Sequence, residues 1–171
     1  GRWMVRLPAL TAGGPYELTV AGKNRIALAD VMIGEVWLCS GQSNMWWPVG
    51  SLKDIPADAA PSDDPGLRLY AVWSPENESF GRTPSWSACT TAGLKEFSAV
   101  GYYFGRTLRR ELGITVGLIH SSMGGSLPEA WMKKTTLDAN PQFRPIEAFW
   151  DSLAAVYPNA RPAFDRWLLD L

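Results

Sequence analysis

Trp3, Val5 and Leu7 alternate with Met4 and Arg6, a period of two that predicts a strand stopped by Pro8. Gly13-Gly14-Pro15 is a turn signal. Tyr16–Val20 and Ile26–Val31 read as the strands of a hairpin, with Ala21-Gly22-Lys23-Asn24 as its loop. Glu35–Ser40 is a short apolar run of the kind found in buried strands, and Leu67–Trp73 is a second. Between them, residues 51–66 are rich in proline and aspartate and predict a surface loop. Residues 74–94 are polar and turn-rich.

A helix follows. Ser98 is placed to cap it, with Phe97 and Tyr102 as a hydrophobic staple around the cap. Phe97, Val100, Phe104, Leu108 and Leu112 form an apolar stripe at helical spacing. Gly101 and Gly105 allow close approach to a sheet. Arg106, Arg109 and Arg110 suit the C-terminal end of the helix dipole, and Gly113 suits the position after the last turn. Ile114–Ile119 is then an apolar strand. Strand, helix, strand in this order predicts parallel pairing through a right-handed crossover, hence an α/β fold. Pro162 is expected to start a last helix carrying Phe164, Trp167, Leu168 and Leu171, with no cap or polar tail after it. With a strand at one end and an uncapped helix at the other, the chain reads as a piece of a longer polypeptide.

Length and composition narrow the function. The 171 residues are 46% apolar, enough for one domain with a core. Charged residues make up 19% and the net charge is -1, with no acidic or basic block. This argues against a nucleic-acid partner and against a polybasic membrane patch. There is no apolar run of transmembrane length, and the first residues lack a signal-peptide layout. One histidine and two cysteines make a structural zinc site an unusual choice. Nine tryptophans are many; their flat apolar faces suit sugars, although most tryptophans serve as core.

Two turns could carry chemistry. Gly41-Gln42-Ser43-Asn44-Met45 directly follows the first buried strand, and ligands of open α/β sheets gather at the carboxyl ends of strands. It is not the α/β-hydrolase elbow, because Met45 stands where that motif has glycine. Ser122-Met123-Gly124-Gly125-Ser126 follows the strand that ends at Ile119. Ser126-Leu127-Pro128-Glu129 fits a capping box, so a short helix carrying Trp131 is expected there, with the glycine amides at its start. One turn would supply a hydroxyl and the other backbone donors, which is half of an acyl-transfer site. His120 stands at a strand end, either as a base near Ser43 or as a locally bonded side chain.

The run from Asp30 to Met45, Asp-Val-Met-Ile-Gly-Glu-Val-Trp-Leu-Cys-Ser-Gly-Gln-Ser-Asn-Met, closely resembles the nucleophile segment of the sialate O-acetylesterases, of the SGNH (GDSL-like) hydrolase superfamily. Phe97–Arg106 resembles the helix that follows in that family. Val116–Ser126, with Glu129-Ala130-Trp131, is similar to its Gly-Gly-Thr segment. The resemblance implies a partial three-layer, SGNH-like parallel sheet. It implies that residues 1–32 are the last strands of a preceding β-domain. Residues 33–171 would be the N-terminal part of an esterase domain, with a helical insertion from about 133. It further implies Ser43 as nucleophile and the N–H groups of Ser43 and Gly125 as oxyanion donors, with no metal or organic cofactor. Gln42, Asn44, His120, Glu129 and Trp131 are expected to border an O-acetylated sugar or glycan. The family's third donor, an Asn in a Gln-Gly-Glu-Ser/Ala-Asn segment, and its base, a His in an Asp-x-x-His segment, do not occur here. His120 matches a position of the Gly-Gly segment and not that base. Ser126 replaces the usual Thr, and Trp46 stands where an acidic residue is common. The resemblance points to a periplasmic, extracellular or lysosomal-like setting and to little activity of these residues alone. The alternative is a non-catalytic carbohydrate-binding piece using Trp46, Trp47, Trp86 and Trp131. Cys39 and Cys89 remain open between a disulfide and two buried thiols.

Overall fold

A computed structural model describes residues 4–72 and 84–169, with the backbone only over 158–169. The chain forms two compact units, Gly1–Ser126 and Leu127–Leu171. In the first, β1 (Gly13–Ala21) and β2 (Arg25–Gly41) form the expected hairpin, but β2 runs on without a break through the apolar run Glu35–Ser40. Asp30, in the left-handed region at φ 59°, lies at the irregularity in the β1–β2 pairing between Tyr16↔Val31 and Leu18↔Leu28. Its carboxylate takes a forked pair from the Arg68 guanidinium, with Nη2 at 2.7 Å. That pairing holds the Asp30 carboxyl below the usual carboxylate range. The alternation expected over residues 3–7 makes no strand: residues 4–11 are irregular and exposed, because no neighbouring strand pairs with them. Trp3 lies outside the described residues.

The sheet is completed by β3 (Asp64–Ala71), β4 (Ser87–Cys89) and β5 (Thr115–Ser122), in the order β1-β2-β5-β3-β4. Its centre is parallel, as expected: β2 pairs with β5 from Gly34↔Thr115 to Gly41↔Ser122, and β3 pairs with β5 on the other side. Helix α1 (Ser43–Trp46) follows β2, and α2 (Ala99–Leu112) precedes β5. Ser98 caps α2 by accepting from the Gly101 N–H at 3.0 Å, and Gly113 ends it at φ 67°.

Only part of the apolar stripe faces the core: Phe97 is buried and Leu108 packs against the core. Ala99, Gly101, Tyr102 and Gly105 are buried, whereas Val100, Phe104 and Leu112 are exposed. The glycines decide this. A side-chain carbon at Gly105 would lie 2.6 Å from Leu118 Cδ1, and one at Gly101 3.2 Å from Cys39 Sγ. The helix therefore seats on the sheet by the face that carries both glycines and Tyr102, over Cys39, Leu67, Leu69, Val116 and Leu118. The loop at 51–66 is tied to the same helix: the Tyr103 hydroxyl donates to the Ala59 carbonyl at 3.0 Å, and Tyr102 Oη accepts from the Ser62 N–H at 3.1 Å. On the opposite face of the sheet Val36 and Leu38 are exposed, and Trp86 lies over Gly117.

In the second unit, Pro128–Trp131 is a single 3-10 turn, followed by α3 (Lys134–Asp138) and α4 (Arg144–Leu169). Helix α4 starts well before Pro162, with Pro145 in its first turn, where the missing N–H costs nothing. No helix among the described residues is long and apolar enough to cross a membrane.

Candidate active site

Ser43 sits one residue past the Gln42 that follows β2. Gly41 makes the bend at φ 139°, a conformation L side chains rarely adopt. Gln42, Ser43 and Asn44 are all exposed at the carboxyl edge of the sheet. As the first residue of α1, Ser43 has an N–H with no intrahelical acceptor. Its Oγ donates to Gln42 Oε1 at 3.3 Å, a partner that spacing alone did not reveal.

The Gly-Gly turn lies beside it. Because β2 and β5 are adjacent and in register up to Gly41↔Ser122, both turns leave the same edge. The Met123 N–H donates to the Gly41 carbonyl at 3.0 Å, extending the ladder past the strand ends. A side-chain carbon on Gly124 would lie 4.0 Å from Ser43 Cβ. Gly125 takes the left-handed conformation at φ 77°, with open space where a side chain would start. Its N–H has no acceptor among the described residues. The expected capping box does not form. Ser126 turns back, its hydroxyl donating to the Met123 carbonyl at 2.7 Å, and the residue before the 3-10 turn is Leu127.

His120 is not delivered to Ser43. Its ring is 4% exposed, and Nε2 lies 2.7 Å from Ser122 Oγ, two residues along the same strand face. Its ring meets those of Trp46 and Phe97 edge-on, with ring centroids at 6.1 and 5.5 Å. Burial pushes its pKa below the ordinary 6.5. A ring so enclosed has no face to offer a substrate, unlike the exposed Gln42 and Asn44. Glu129 and Trp131 belong to the second unit, where Glu129 Oε1 accepts from Trp150 Nε1 at 3.2 Å. A cavity of about 620 Å³ lies at the other end of the strands, between Leu7, Ile33, Val36, Thr115 and Trp86, and does not include Ser43.

Cys39 on β2 and Cys89 on β4 are both buried and free. Two strands stand between theirs, and three spacings of about 4.8 Å separate them by roughly 14 Å, about twice the reach of a disulfide. Burial raises both thiols, Cys89 to about 11.

No protein-family model matches the chain. Single proteins do. Sialate O-acetylesterase from Mus musculus is 36% identical over 156 residues, and that from Homo sapiens 34% over 153, each covering 80% of this chain. The chain is a homologue of the sialate O-acetylesterases. The crystal structure of a carbohydrate acetylesterase from Xanthomonas citri superposes with a TM-score of 0.68 at 42% identity, over 81% of this chain. The α/β architecture is thus the one shared with that acetylesterase. The chain spans 28% of the mouse sialate O-acetylesterase, 29% of the human protein and 33% of the solved chain.

Proposed function

We propose that this chain carries the nucleophile-and-amide half of a serine acetylesterase site acting on O-acetylated sugars. The observation that carries the reading is the adjacency of the Ser43 and Gly124-Gly125 turns on one sheet edge. Ser43 Oγ attacks the acetyl carbonyl carbon. The oxyanion that forms is held by the N–H groups of Ser43 and Gly125. The sugar hydroxyl leaves, and water then releases acetate from the acetyl-serine. Each step needs a group to take up and return a proton. His120 does not fill that role, being buried and engaged with Ser122. We assign the base and a further oxyanion donor to polypeptide outside these 171 residues. Losing one donor costs about 10²–10³ in rate, and losing the base on the order of 10⁶.

The domain assignment follows: residues 1–32 close a β-domain and 33–171 open the esterase domain, in a protein of the extracytoplasmic or lysosomal type. Acetate release from an O-acetylated sugar and from 4-nitrophenyl acetate, by this chain and by Ser43→Ala, tests the reading. The expectation is hydrolysis barely above background from the chain alone. Rapid turnover that depends on Ser43 would show that the chain holds its own base. The alternative of a sugar-binding piece loses Trp46, which is half-buried against His120, while Trp47, Trp86 and Trp131 stay exposed.

A further inference from the structure

The one histidine of the chain is the least explained polar group near the site. It is a buried ring in the wall beneath α1, bonded along its own strand and touching the helix that Ser43 begins. The segment after Ser43 is laced to the entry of α2. The Ala99 N–H donates to the Trp47 carbonyl at 2.8 Å, the Val49 N–H to the Phe97 carbonyl at 2.9 Å, and the Ser98 hydroxyl to Met45 Sδ at 3.5 Å. These bonds hold the far end of α1. On its sheet side α1 rests through Trp46 on a ring from β5, the strand that also delivers the Gly-Gly turn.

We propose that His120 is a positioning residue: its ring, fixed by Ser122 and wedged between Trp46 and Phe97, sets the placement of α1 and so of Ser43 relative to the Gly124-Gly125 turn. The inference rests on the assignment of Ser43 as nucleophile for its consequence, but its geometry stands without it. Two features separate this role from that of a base. The ring nitrogen facing a partner faces Ser122 and not Ser43. The ring is also the common neighbour of the nucleophile helix and of the segment that enters α2. His120 transmits the position of β5 to α1, and both turns of the site then move as one body.

The amides of Trp46 and Trp47 report on this directly, since they donate to the Gln42 and Ser43 carbonyls at 3.0 Å and close α1. Hydrogen exchange of the 171-residue chain, read by NMR, is compared among wild type, His120→Ala and His120→Phe. In His120→Ala these two amides are expected to exchange about tenfold faster or more, while those inside α2 stay within about threefold of wild type. His120→Phe keeps an aromatic wedge and is expected to restore slow exchange. Unchanged Trp46 and Trp47 amides in His120→Ala would overturn the proposal. So would equal acceleration throughout α2, which marks general destabilisation, or failure of His120→Phe to restore protection. If His120→Ala does not fold, the comparison of wild type with His120→Phe decides alone, by the same criterion. A separate arm keeps the underlying reading apart: fluorophosphonate labelling that survives Ser43→Ala removes Ser43 as nucleophile and leaves the exchange result standing.

Discussion

Met123 donates its backbone N–H to the carbonyl of Gly41 at 3.0 Å, joining the two turns just beyond the last paired residues of β2 and β5. Gly41 is two residues before Ser43, and Met123 is two before Gly125. The bond therefore sets hydroxyl and amide on one rigid edge, rather than on loops that must find each other.

Gly125 is the residue whose substitution separates backbone strain from side-chain bulk. A side chain there meets open space but must adopt φ 77°. Gly125→Ala is expected to cost about 1–2 kcal/mol in unfolding free energy, the usual penalty of a left-handed non-glycine residue. Any turnover that depends on Ser43 should fall as the amide shifts. Gly124→Leu acts otherwise. Its first side-chain carbon sits 4.0 Å from Ser43 Cβ, so it should block labelling of Ser43 with a smaller change in denaturation midpoint. Chemical denaturation and labelling rates of the two variants check this.

Helix α2 offers a test of which face is buried. Gly105→Ala gains about 1 kcal/mol of helix propensity but drives a methyl against the fully buried Leu118, where overpacking costs about 1–3 kcal/mol. We expect net destabilisation. Val100→Ser, on the exposed stripe, should change stability by no more than about 0.5 kcal/mol. The opposite ranking in urea titrations would mean that the stripe faces the sheet.

The histidine sets a pH dependence. Burial lowers the His120 pKa below 6.5 in the fold, while the unfolded chain protonates it at the ordinary value. The unfolded state then binds more protons as pH falls. The stability due to neutral His120 is thus complete above about pH 6.5 and is lost below it. Thermal melts between pH 7.5 and 5 should show falling midpoints, with the histidine contribution to the slope absent in His120→Phe.

The thiols should behave as inert core. Both are buried and pushed toward the protonated form, and their strands are too far apart to bridge. Oxidising conditions should give no intramolecular disulfide, and iodoacetamide should modify Cys39 and Cys89 only on denaturation. Mass spectrometry of the native and the unfolded chain distinguishes the outcomes.

The site edge was legible in the sequence because its signals are local. The apolar run Glu35–Ser40 forms a strand whose following glycine places Ser43, although only Cys39 of that run is buried, and a second run followed by Gly124-Gly125 places the amides. Parallel order then puts both at one end. The cap at Ser98 and the stop at Gly113 were legible for the same reason. What failed needed a neighbour. The stripe through Val100 and Phe104 has the right period, but the close approach of Leu118 and Cys39 selects the glycine face instead. The alternation over residues 4–7 had no strand to pair with, and the 3-10 turn starts after Leu127 and not after Ser126, so no capping box forms. The role of His120 turned on Ser122, whose place on the same strand face is a matter of period two and could have been read.

The claim on which the account turns is that Ser43 is the reactive group of this edge. Incubating the protein that carries this chain together with its proposed base with excess fluorophosphonate, and locating the adduct by peptide mass spectrometry, tests it most directly. The account predicts one adduct, on Ser43, absent in Ser43→Ala and formed more slowly in Gly125→Ala. An adduct on another residue, or labelling unchanged by Ser43→Ala, would contradict it.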